Sequence, residues 1–534
     1  MKQIIIITSI IFLLLASFGL RIWRIDKAPA SVNWDEAALG YNAYSMLLTG
    51  KDEFAKAMPV SLRSFDDYKP ALYAYLAVPF IRFIGLNALS TRIGSVISGV
   101  MLVFFVVYIT SFLLGKLKYG LLAGVFTTVS PWALHFSRIA FEANLAASLY
   151  FAGLALFVMA LRHKYAYIGA IMMMVLSMYA YHAQRAIAIP TLIILTMLFW
   201  NNFKDTFISK WKIYLAVAVI GLLPLIYSFL TEPAGSRLVS TFILKLWPFA
   251  PHDYPLLIYN PIYSLIMQLA GQFLAYFSPV NIFLKGSTEP ILRIPTLGLL
   301  PLELFPLWIF GLFRLNKNRS LAKVLGTVLV MAPLPAVITW NWFSVVRTLA
   351  LYPAFIILAA AGGKWLWERQ FHHSGLKFAV GGFWAVLFSL SSLYTFLTIT
   401  IYAPLVTFGD FQPGFKETVP YVMQESAKYS KVVIDSDQAA PYIFFLFYSK
   451  YPPALYLKDN HVIKTNNGTE KRSFGKFEVR NITRADLDQT GILYMGPVKS
   501  LPDWAVTNIF QKEGARVKDF KDLLGYTSYR VVSL

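Results

Sequence analysis

Apolar stretches long enough to cross a membrane recur through most of the chain. A stretch of about 20 apolar residues spans the hydrocarbon core of a bilayer as a helix, and a helix satisfies its own backbone hydrogen bonds there. The candidate spans are residues 3–20, 90–114, 120–134, 142–161, 165–181, 186–200, 212–230, 296–313, 321–339, 344–363 and 377–402. We therefore predict a polytopic α-helical membrane protein with about 11–13 transmembrane helices.

The charge composition narrows the possible functions. The 534 residues are 57% apolar and 14% charged, which is typical of a membrane protein. The net charge of +20 does not indicate nucleic-acid binding, because the basic residues lie in short tracts between apolar spans and not on one polar face. The chain contains no cysteine, which excludes disulfides, thiol nucleophiles and cysteine metal sites.

Basic residues mark one side of the membrane. If the N-terminus is inside, the inner loops carry Lys116 and Lys118, Arg162 and Lys164, Lys204, Lys210 and Lys212, Arg314, Lys317, Arg319 and Lys323, and finally Lys364, Arg369 and Lys377. Positively charged loops are typically cytoplasmic. We therefore predict a multi-pass protein of the plasma (inner) membrane with a cytoplasmic N-terminus. Residues 3–20 are predicted to be an uncleaved first helix, because no small-residue cleavage motif follows them.

Some outer-face segments do not fit simple spans. Residues 71–85 are short, tyrosine-rich and contain Pro79, which favours an interfacial helix. Residues 256–280 fit another such helix or a re-entrant segment. The proline-, glycine- and aromatic-rich segments 231–258 and 281–295 predict a long outer loop that can order over a substrate.

The pattern changes after about residue 403. A helix is predicted over 414–431, and strands over 431–436, 491–495 and 529–532. Helices that alternate with strands favour a small α/β domain, in which we find no nucleotide-binding glycine loop. We therefore predict a transmembrane domain over 1–402, with its first outer loop over 21–89, and an extracytoplasmic α/β domain over 403–534.

Asn33-Trp34-Asp35-Glu36 begins a charged stretch directly after the first span. Charge is costly beside hydrocarbon, so its presence there favours a functional role. Asp35 and Glu36 are candidate catalytic residues, because a carboxylate at the outer membrane surface can accept the proton of an incoming hydroxyl as a general base. The structural alternative is a capping box between Asn33 and Glu36 at the start of a helix.

Lys69 precedes Pro70, and proline is favoured at the first position of a helix. A lysine at a helix N-terminus combines its own charge with free backbone N–H groups, so we predict that Lys69 binds a phosphate. The alternatives are a lysine that reaches lipid headgroups or pairs with Asp66 or Asp67.

Other outer turns carry candidate substrate-binding residues, namely Arg138, Glu142, His182, Arg185 and Arg347. Arginines in three outer turns run against the positive-inside trend, which indicates a shared anionic ligand. The alternatives are an Arg138–Glu142 pair at a helix end, arginines that contact headgroups, and a packed His182.

No metal site is predicted. Asp35, Glu36, Glu142 and His182 could converge on a divalent cation, because hard cations take carboxylate ligands. Sequence spacing does not establish that convergence. We therefore predict no cofactor, with a divalent metal as the alternative.

Together these residues resemble the motifs of the C-type polytopic glycosyltransferases. The resemblance is carried by Asp35-Glu36, Tyr68-Lys69-Pro70, Arg92 at the start of the next span, and Ser137-Arg138 followed by Glu142. It is greatest to bacterial members of glycosyltransferase family 39, the protein O-mannosyltransferase family, and to the aminoarabinose transferases of lipid A. It covers roughly residues 1–200 and extends to the remaining spans only as architecture.

This resemblance implies a C-type glycosyltransferase fold and inverting transfer of a sugar from a polyprenyl-phosphate-linked donor to an acceptor hydroxyl on the outer face. It implies that Asp35 is the catalytic aspartate and that Lys69 contacts the lipid phosphate, whereas Glu142 stands where many relatives have aspartate. The implied partners are the lipid-linked donor, membrane lipids, and a glycan, lipid or protein acceptor. The mannosyltransferases carry a lumenal β-trefoil domain that this sequence lacks, which counts against a protein acceptor.

A membrane transporter or flippase for a lipid-linked or anionic substrate is the alternative function. Transporters place ionisable residues near the middle of their spans. Here the interiors of the spans are nearly free of charge, and the candidate residues gather at their outer ends. This distribution favours an enzyme.

Overall fold

A computed structural model describes residues 2–65, 67–232, 261–368, 374–436, 440–464, 470–483, 486, 489, 491–505, 516–522 and 525–533. Asp66 and most of the predicted outer loop at 231–258 lie outside the described residues.

Each predicted span overlaps a helix. The helices of this region are α1 (Lys2–Ile22), α2 (Trp34–Thr49), α3 (Leu72–Ile84), α4 (Ala88–Leu114), α5 (Leu117–Val129), α6 (Pro131–Phe136), α7 (Glu142–Ala160), α8 (Ala166–Ala180), α9 (His182–Leu198), α10 (Trp200–Thr231), α11 (Pro261–Ala275), α12 (Leu304–Leu315), α13 (Arg319–Met331), α14 (Leu351–Glu368) and α15 (Ser374–Leu397). Within the described part of the chain, six helices are long and apolar enough to cross a membrane, and five shorter ones are apolar. The protein is therefore a multi-pass membrane protein, as predicted.

Helix α4 illustrates how the sequence sets the ends of a span. Asn87 caps its start, because the Asn87 side chain accepts a hydrogen bond from the Ser90 amide and the Ser90 hydroxyl contacts the Asn87 amide. Gly115 ends it with a φ of 77°, a left-handed conformation that glycine adopts without a Cβ clash. Between these ends α4 packs against α5 and α7, and α7 is enclosed by protein along most of its length.

The segment between α1 and α4 contains helices α2 and α3 and a hairpin of β1 (Ser61–Ser64) and β2 (Asp67–Pro70). The predicted helix over 71–85 is observed as α3. The prediction that Pro70 opens this helix is wrong: Lys69 and Pro70 end strand β2, and Ala71 is the N-cap residue of α3. Because Lys69 and Pro70 pair with β1 as part of a strand, helix α3 starts after them.

The described residues of the C-terminal region form a seven-stranded sheet with helices packed on it. Its helices are α16 (Gly414–Glu425), α17 (Pro441–Tyr448) and α18 (Pro453–Asp459), and its strands are β3 (Lys431–Ile434), β4 (His461–Lys464), β5 (Glu470–Phe474), β6 (Phe477–Val479), β7 (Ile492–Gly496), β8 (Arg516–Lys521) and β9 (Thr527–Ser533). The strand order is β4-β5-β6-β3-β7-β9-β8, with β3 parallel to both β6 and β7 and the remaining pairs antiparallel. The predicted elements are present, but β4, β5, β6 and β8 were not predicted from sequence because their apolar pattern is weak.

Short helical turns are also present among the described residues. They are Val280–Lys285, Pro290–Leu292, Leu334–Val337, Val346–Thr348, Thr398–Tyr402, Ala403–Val406, Phe408–Phe411, Ser426–Lys428 and Asp503–Ala505.

The C-terminal region packs directly on α2. A Cβ atom on Gly40 would lie 2.7 Å from the Phe447 ring and 2.8 Å from the Thr91 hydroxyl, so the absence of a side chain lets α17 and α4 approach α2 from two sides. Next to it, the Tyr41 hydroxyl donates to the Tyr451 carbonyl at 3.0 Å. Helix α2 is therefore enclosed between α4 and the C-terminal region.

A buried carboxylate lies in this contact. Glu53 is buried, with one carboxylate oxygen 3.3 Å from the Asn42 amide nitrogen and the other without a hydrogen-bond partner among the described residues. Burial raises the pKa of Glu53 to about 7, although the nearby Arg472 guanidinium of β5 acts in the opposite direction. Glu53 therefore binds its proton more tightly in the folded state than in the unfolded state.

We predict that the protein loses stability as pH rises. The folded pKa of Glu53 is about 7, and its unfolded value is about 4.3. Between these values the folded state binds more protons, so the free energy of unfolding falls as pH rises through this window. Thermal unfolding of the full chain measured across the window checks the slope. Glu53→Gln should make the dependence of stability on pH less steep. The control Glu417→Gln, at an exposed site on α16, should leave this dependence unchanged. Equal pH dependence in the wild type and both variants would contradict the raised pKa of Glu53.

Candidate active site

A cavity of about 500 Å³ opens where three helices begin. Asp35 lies in the first turn of α2, and Glu142 and His182 are the first residues of α7 and α9. The lining residues are Trp34, Asp35, Lys69, Pro70, Phe141, Glu142, Tyr181, His182, Glu289, Pro290, Ile291, Leu292, Val346, Gly409 and Asp410. Helix N-termini carry partial positive charge, which favours the carboxylates that occupy them and also a bound anion.

An ion pair lies at the wall of the cavity. The Lys69 ammonium donates to Oδ1 of Asp35, with the two side chains 12% and 26% exposed. The ring of Phe65 lies 5.9 Å from the ammonium. The two residues that the sequence selected for phosphate and proton chemistry are thus in direct contact and still reachable from the cavity.

The local sequence explains where each partner stands. Asn33 caps α2 by accepting from the Glu36 amide at 3.0 Å, and the Glu36 carboxylate accepts from the Asn33 amide at 3.1 Å. The predicted capping box is therefore present, and it fixes Asp35 in the first turn. Pairing of Leu62 with Lys69 in the hairpin brings the lysine to the same place.

Glu36 does not lie at the cavity. It is fully buried and forms a two-bond pair with Arg92, from Nε to Oε1 at 2.8 Å and from Nη2 to Oε2 at 2.9 Å. Its Oε1 also accepts from the Ala140 amide at 2.7 Å. These hydrogen bonds hold the protein together and leave Glu36 away from the cavity. The prediction that Glu36 is catalytic therefore does not match its position, whereas the alternative of a helix cap does.

Arg138 is also structural in its contacts. Its guanidinium is buried and donates to the carbonyls of Leu20, Arg21, Trp23 and Ala28 at 2.7–3.1 Å. These are the last carbonyls of α1 and of the turns after it, which lack partners within the helix. Arg138 therefore caps the end of α1 instead of meeting the cavity.

The other predicted residues divide into two groups. Glu142 and His182 line the cavity, and His182 Nε2 donates to the Tyr68 carbonyl at 2.8 Å, beside Lys69. Arg185 donates to the Met178 carbonyl at 3.3 Å, and Arg347 donates to the Thr339 hydroxyl. Neither arginine is among the described residues that line the cavity. The expectation of one ligand shared by three arginines therefore does not match this arrangement.

Sequence reasoning missed Glu289 and Asp410. Glu289 accepts from the Ser344 hydroxyl at 3.2 Å and belongs to the 281–295 segment, whose composition did indicate a substrate-covering loop. Asp410 comes from a short helical turn that carries no motif. Burial raises the pKa of Asp410, partly offset by the charge of Arg293.

The candidate metal ligands are only partly brought together. Asp35, Glu142 and His182 share the cavity, whereas Glu36 does not. Among the described residues, no group of three or more histidine or acidic side chains is close enough to hold a metal ion.

Comparison with known proteins defines the fold. No protein-family model and no curated protein sequence matches the chain. Its structure is similar to that of ArnT from Cupriavidus metallidurans, with a TM-score of 0.57 and 12% identity to the apo form and a TM-score of 0.53 and 11% identity to the form bound to undecaprenyl phosphate. Each ArnT match covers 100% of this chain and 98% of the other.

A second similar structure is the Archaeoglobus fulgidus oligosaccharyltransferase tethered to an acceptor peptide. Its TM-score is 0.51 at 12% identity, over 99% of this chain and 74% of the other. The chain thus has the C-type glycosyltransferase fold over its whole length, as predicted.

Mutation of adjacent residues of α2 should change stability by very different amounts. Glu36→Gln leaves the Arg92 charge buried and unpaired, which we expect to lower the free energy of unfolding by about 3–5 kcal/mol. Asp35→Asn removes a partly exposed pair and should change it by about 1 kcal/mol or less. Thermal unfolding in detergent compares the two. A Glu36→Gln protein as stable as the wild type would contradict the structural role of Glu36.

Proposed function

We propose that this protein is an inverting glycosyltransferase that transfers a sugar from a polyprenyl-phosphate-linked donor to an acceptor hydroxyl. The observation that carries the proposal is the Asp35–Lys69 ion pair on the wall of the cavity. It is supported by the fold shared with ArnT, one structure of which is bound to undecaprenyl phosphate. We further propose that the cavity faces the outer side of the inner membrane, with an extracytoplasmic domain over 403–534.

Lys69 is proposed to bind the donor phosphate. Its ammonium is a point charge at a cavity surrounded by helix N-termini, which suits a phosphate group. The same ammonium is paired with Asp35. An arriving phosphate competes with Asp35 for the same ammonium, so donor binding frees the carboxylate for chemistry.

Asp35 is proposed to act as the general base. The acceptor oxygen attacks the anomeric carbon from the side opposite the phosphate, and its proton passes to Asp35. A new bond forms between the anomeric carbon and the acceptor oxygen while the bond to the phosphate oxygen breaks. The leaving polyprenyl phosphate carries the negative charge, which Lys69 stabilises.

The remaining polar residues of the cavity are proposed to hold the sugar and acceptor. Glu142, His182, Glu289 and Asp410 line the same space. Carboxylates accept hydrogen bonds from sugar hydroxyls, and such charge-assisted bonds orient a substrate strongly. We assign substrate contact to these four residues rather than to Arg138, Arg185 and Arg347, whose described contacts lie elsewhere.

The two members of the ion pair should affect lipid binding in opposite directions. Undecaprenyl phosphate, the lipid product expected of such a transfer, serves as the probe. Lys69→Met should weaken its binding, because the phosphate loses its cation. Asp35→Asn should bind it at least as tightly as the wild type, because the competitor for Lys69 is gone. Titration in detergent measures both affinities, and weaker binding by Asp35→Asn would contradict the competition.

Transfer activity should depend on Asp35. Mass spectrometry of the co-purified lipid identifies the donor for the assay. Asp35→Asn should then lower kcat by about 100- to 10,000-fold, because the general base is lost. Asp67→Asn removes an equal charge two residues from Lys69 and outside the cavity lining, so it should retain activity. Full transfer by Asp35→Asn would remove the general-base proposal, and lipid movement without sugar transfer would favour a flippase.

Glu289 and Asp410 should affect the binding of the acceptor. We expect Glu289→Gln and Asp410→Asn each to raise the acceptor KM by about 10-fold, because each loses a charge-assisted hydrogen bond. Steady-state kinetics with the identified donor held saturating checks this. An unchanged KM in both variants would exclude them from acceptor binding. Repeating the wild-type assay with EDTA tests the alternative of a divalent metal.

A further inference from the structure

A second cavity, of about 820 Å³, lies where the ends of several helices meet far from Asp35. Its walls come from the last residue of α4, the end of α12, the start of α13 and the end of α14. Helix α4 gives the scale of the separation, because Arg92, the partner of the Glu36 that follows Asp35, lies near the α4 start and Leu114 lies at its end. At 1.5 Å per residue these are about 33 Å apart, which matches the thickness of the bilayer core.

The charge in this cavity is strongly one-sided. Four basic side chains line it, Arg314, Lys317, Arg319 and Lys364. The carboxylate on its described wall is Glu368, which is already bound by the Lys116 ammonium at 3.1 Å and by the Tyr119 hydroxyl at 2.8 Å. Helix α13 also begins here, so its positive end adds to the four cations.

Two of the cations are held in place by the fold. The Arg314 guanidinium lies 4.8 Å from the centre of the Trp365 ring, and the Lys364 ammonium donates to the Leu114 carbonyl at 2.9 Å. Both side chains are half-buried, whereas Lys317 and Arg319 are exposed. The cavity therefore has two ordered cations along its wall and two at its solvent side.

We propose that this cavity binds the phosphate headgroup of an anionic phospholipid in the membrane leaflet opposite the active site. Its cations suit a phosphate, and Leu114, Leu321 and Trp365 give it apolar surface for the lipid backbone. Its place at the opposite end of α4 from Arg92, about one bilayer core away, puts it at headgroup depth. Basic cavities between helices on the cytoplasmic side are suited to anionic lipids, whose leaflet is negatively charged. This site is independent of the proposed sugar transfer.

The test uses the full chain and phosphatidylglycerol as the probe. Native mass spectrometry counts phosphatidylglycerol retained against phosphatidylcholine, and thermal unfolding records stabilisation by each. Lys317→Gln/Arg319→Gln changes two exposed residues and is expected to lower phosphatidylglycerol affinity by about 10-fold or more. Lys204→Gln/Lys212→Gln removes the same charge from exposed positions of α10 outside the cavity, and it should bind like the wild type.

Each outcome decides the proposal. Loss of phosphatidylglycerol binding in the cavity variant alone supports a specific headgroup site in this cavity. Equal loss in both double variants would show that binding depends only on net charge, and this would overturn the proposal. Unchanged phosphatidylglycerol binding by the cavity variant would also overturn it. Stabilisation by inorganic phosphate as large as that by the lipid would identify a site for free phosphate instead of a lipid. None of these results depends on sugar transfer, so the proposed function can fail separately.

Discussion

The buried pair between Glu36 and Arg92 is the interaction on which the site depends. Both side chains are completely removed from solvent. Arg92 also donates to the carbonyls of Ile25, Pro29 and Ser31, and Glu36 accepts from the Ala140 amide. One charged pair thus connects the loop after α1 with α2, α4 and the turn before α7. Desolvating two charges is costly, and the additional hydrogen bonds offset that cost.

This network explains why adjacent carboxylates differ in their surroundings. At the start of a helix, consecutive side chains point in different directions, about 100° apart. Glu36 turns inward to Arg92, and Asp35 turns to the cavity and Lys69. The burial of one residue therefore sets the position of the other. The proposed base, Asp35, lies on a helix whose start is fixed by the bonds of Glu36 to Arg92 and to the Ala140 amide.

Much of this architecture could be predicted from sequence, because hydropathy and capping are local properties. The apolar stretches became helices, and Asn33 and Glu36 formed the capping box. Burial of charge was not visible in the same way. Arg138 looked like an outer-face cation, yet it meets the carbonyls at the end of α1, which are distant in sequence. Pairing with β1 in the local hairpin, which the X-Pro pattern did not reveal, also decided that Pro70 belongs to a strand.

The cavity itself could be predicted only in part. Four of its residues lie close to the ends of apolar stretches, where a charged or polar residue is unusual and therefore predicts a function: Asp35, Lys69, Glu142 and His182. Asp410 lies far along the chain in a turn without a recognisable pattern, and only the fold brings it to the others. A site assembled from separate turns depends on tertiary packing, which periodicity does not encode.

The missing side chain at Gly40 has a consequence for how this protein can be altered. Helix α2 is shared, with α4 on one side and Phe447 of the C-terminal region on the other. In proteins assembled from interchangeable modules, the linker between two domains carries few contacts. Here the helix that bears Asp35 is itself part of the joint. The C-terminal region is therefore not a detachable appendage, and a chimera that exchanged it for another domain would have to rebuild the surface of α2.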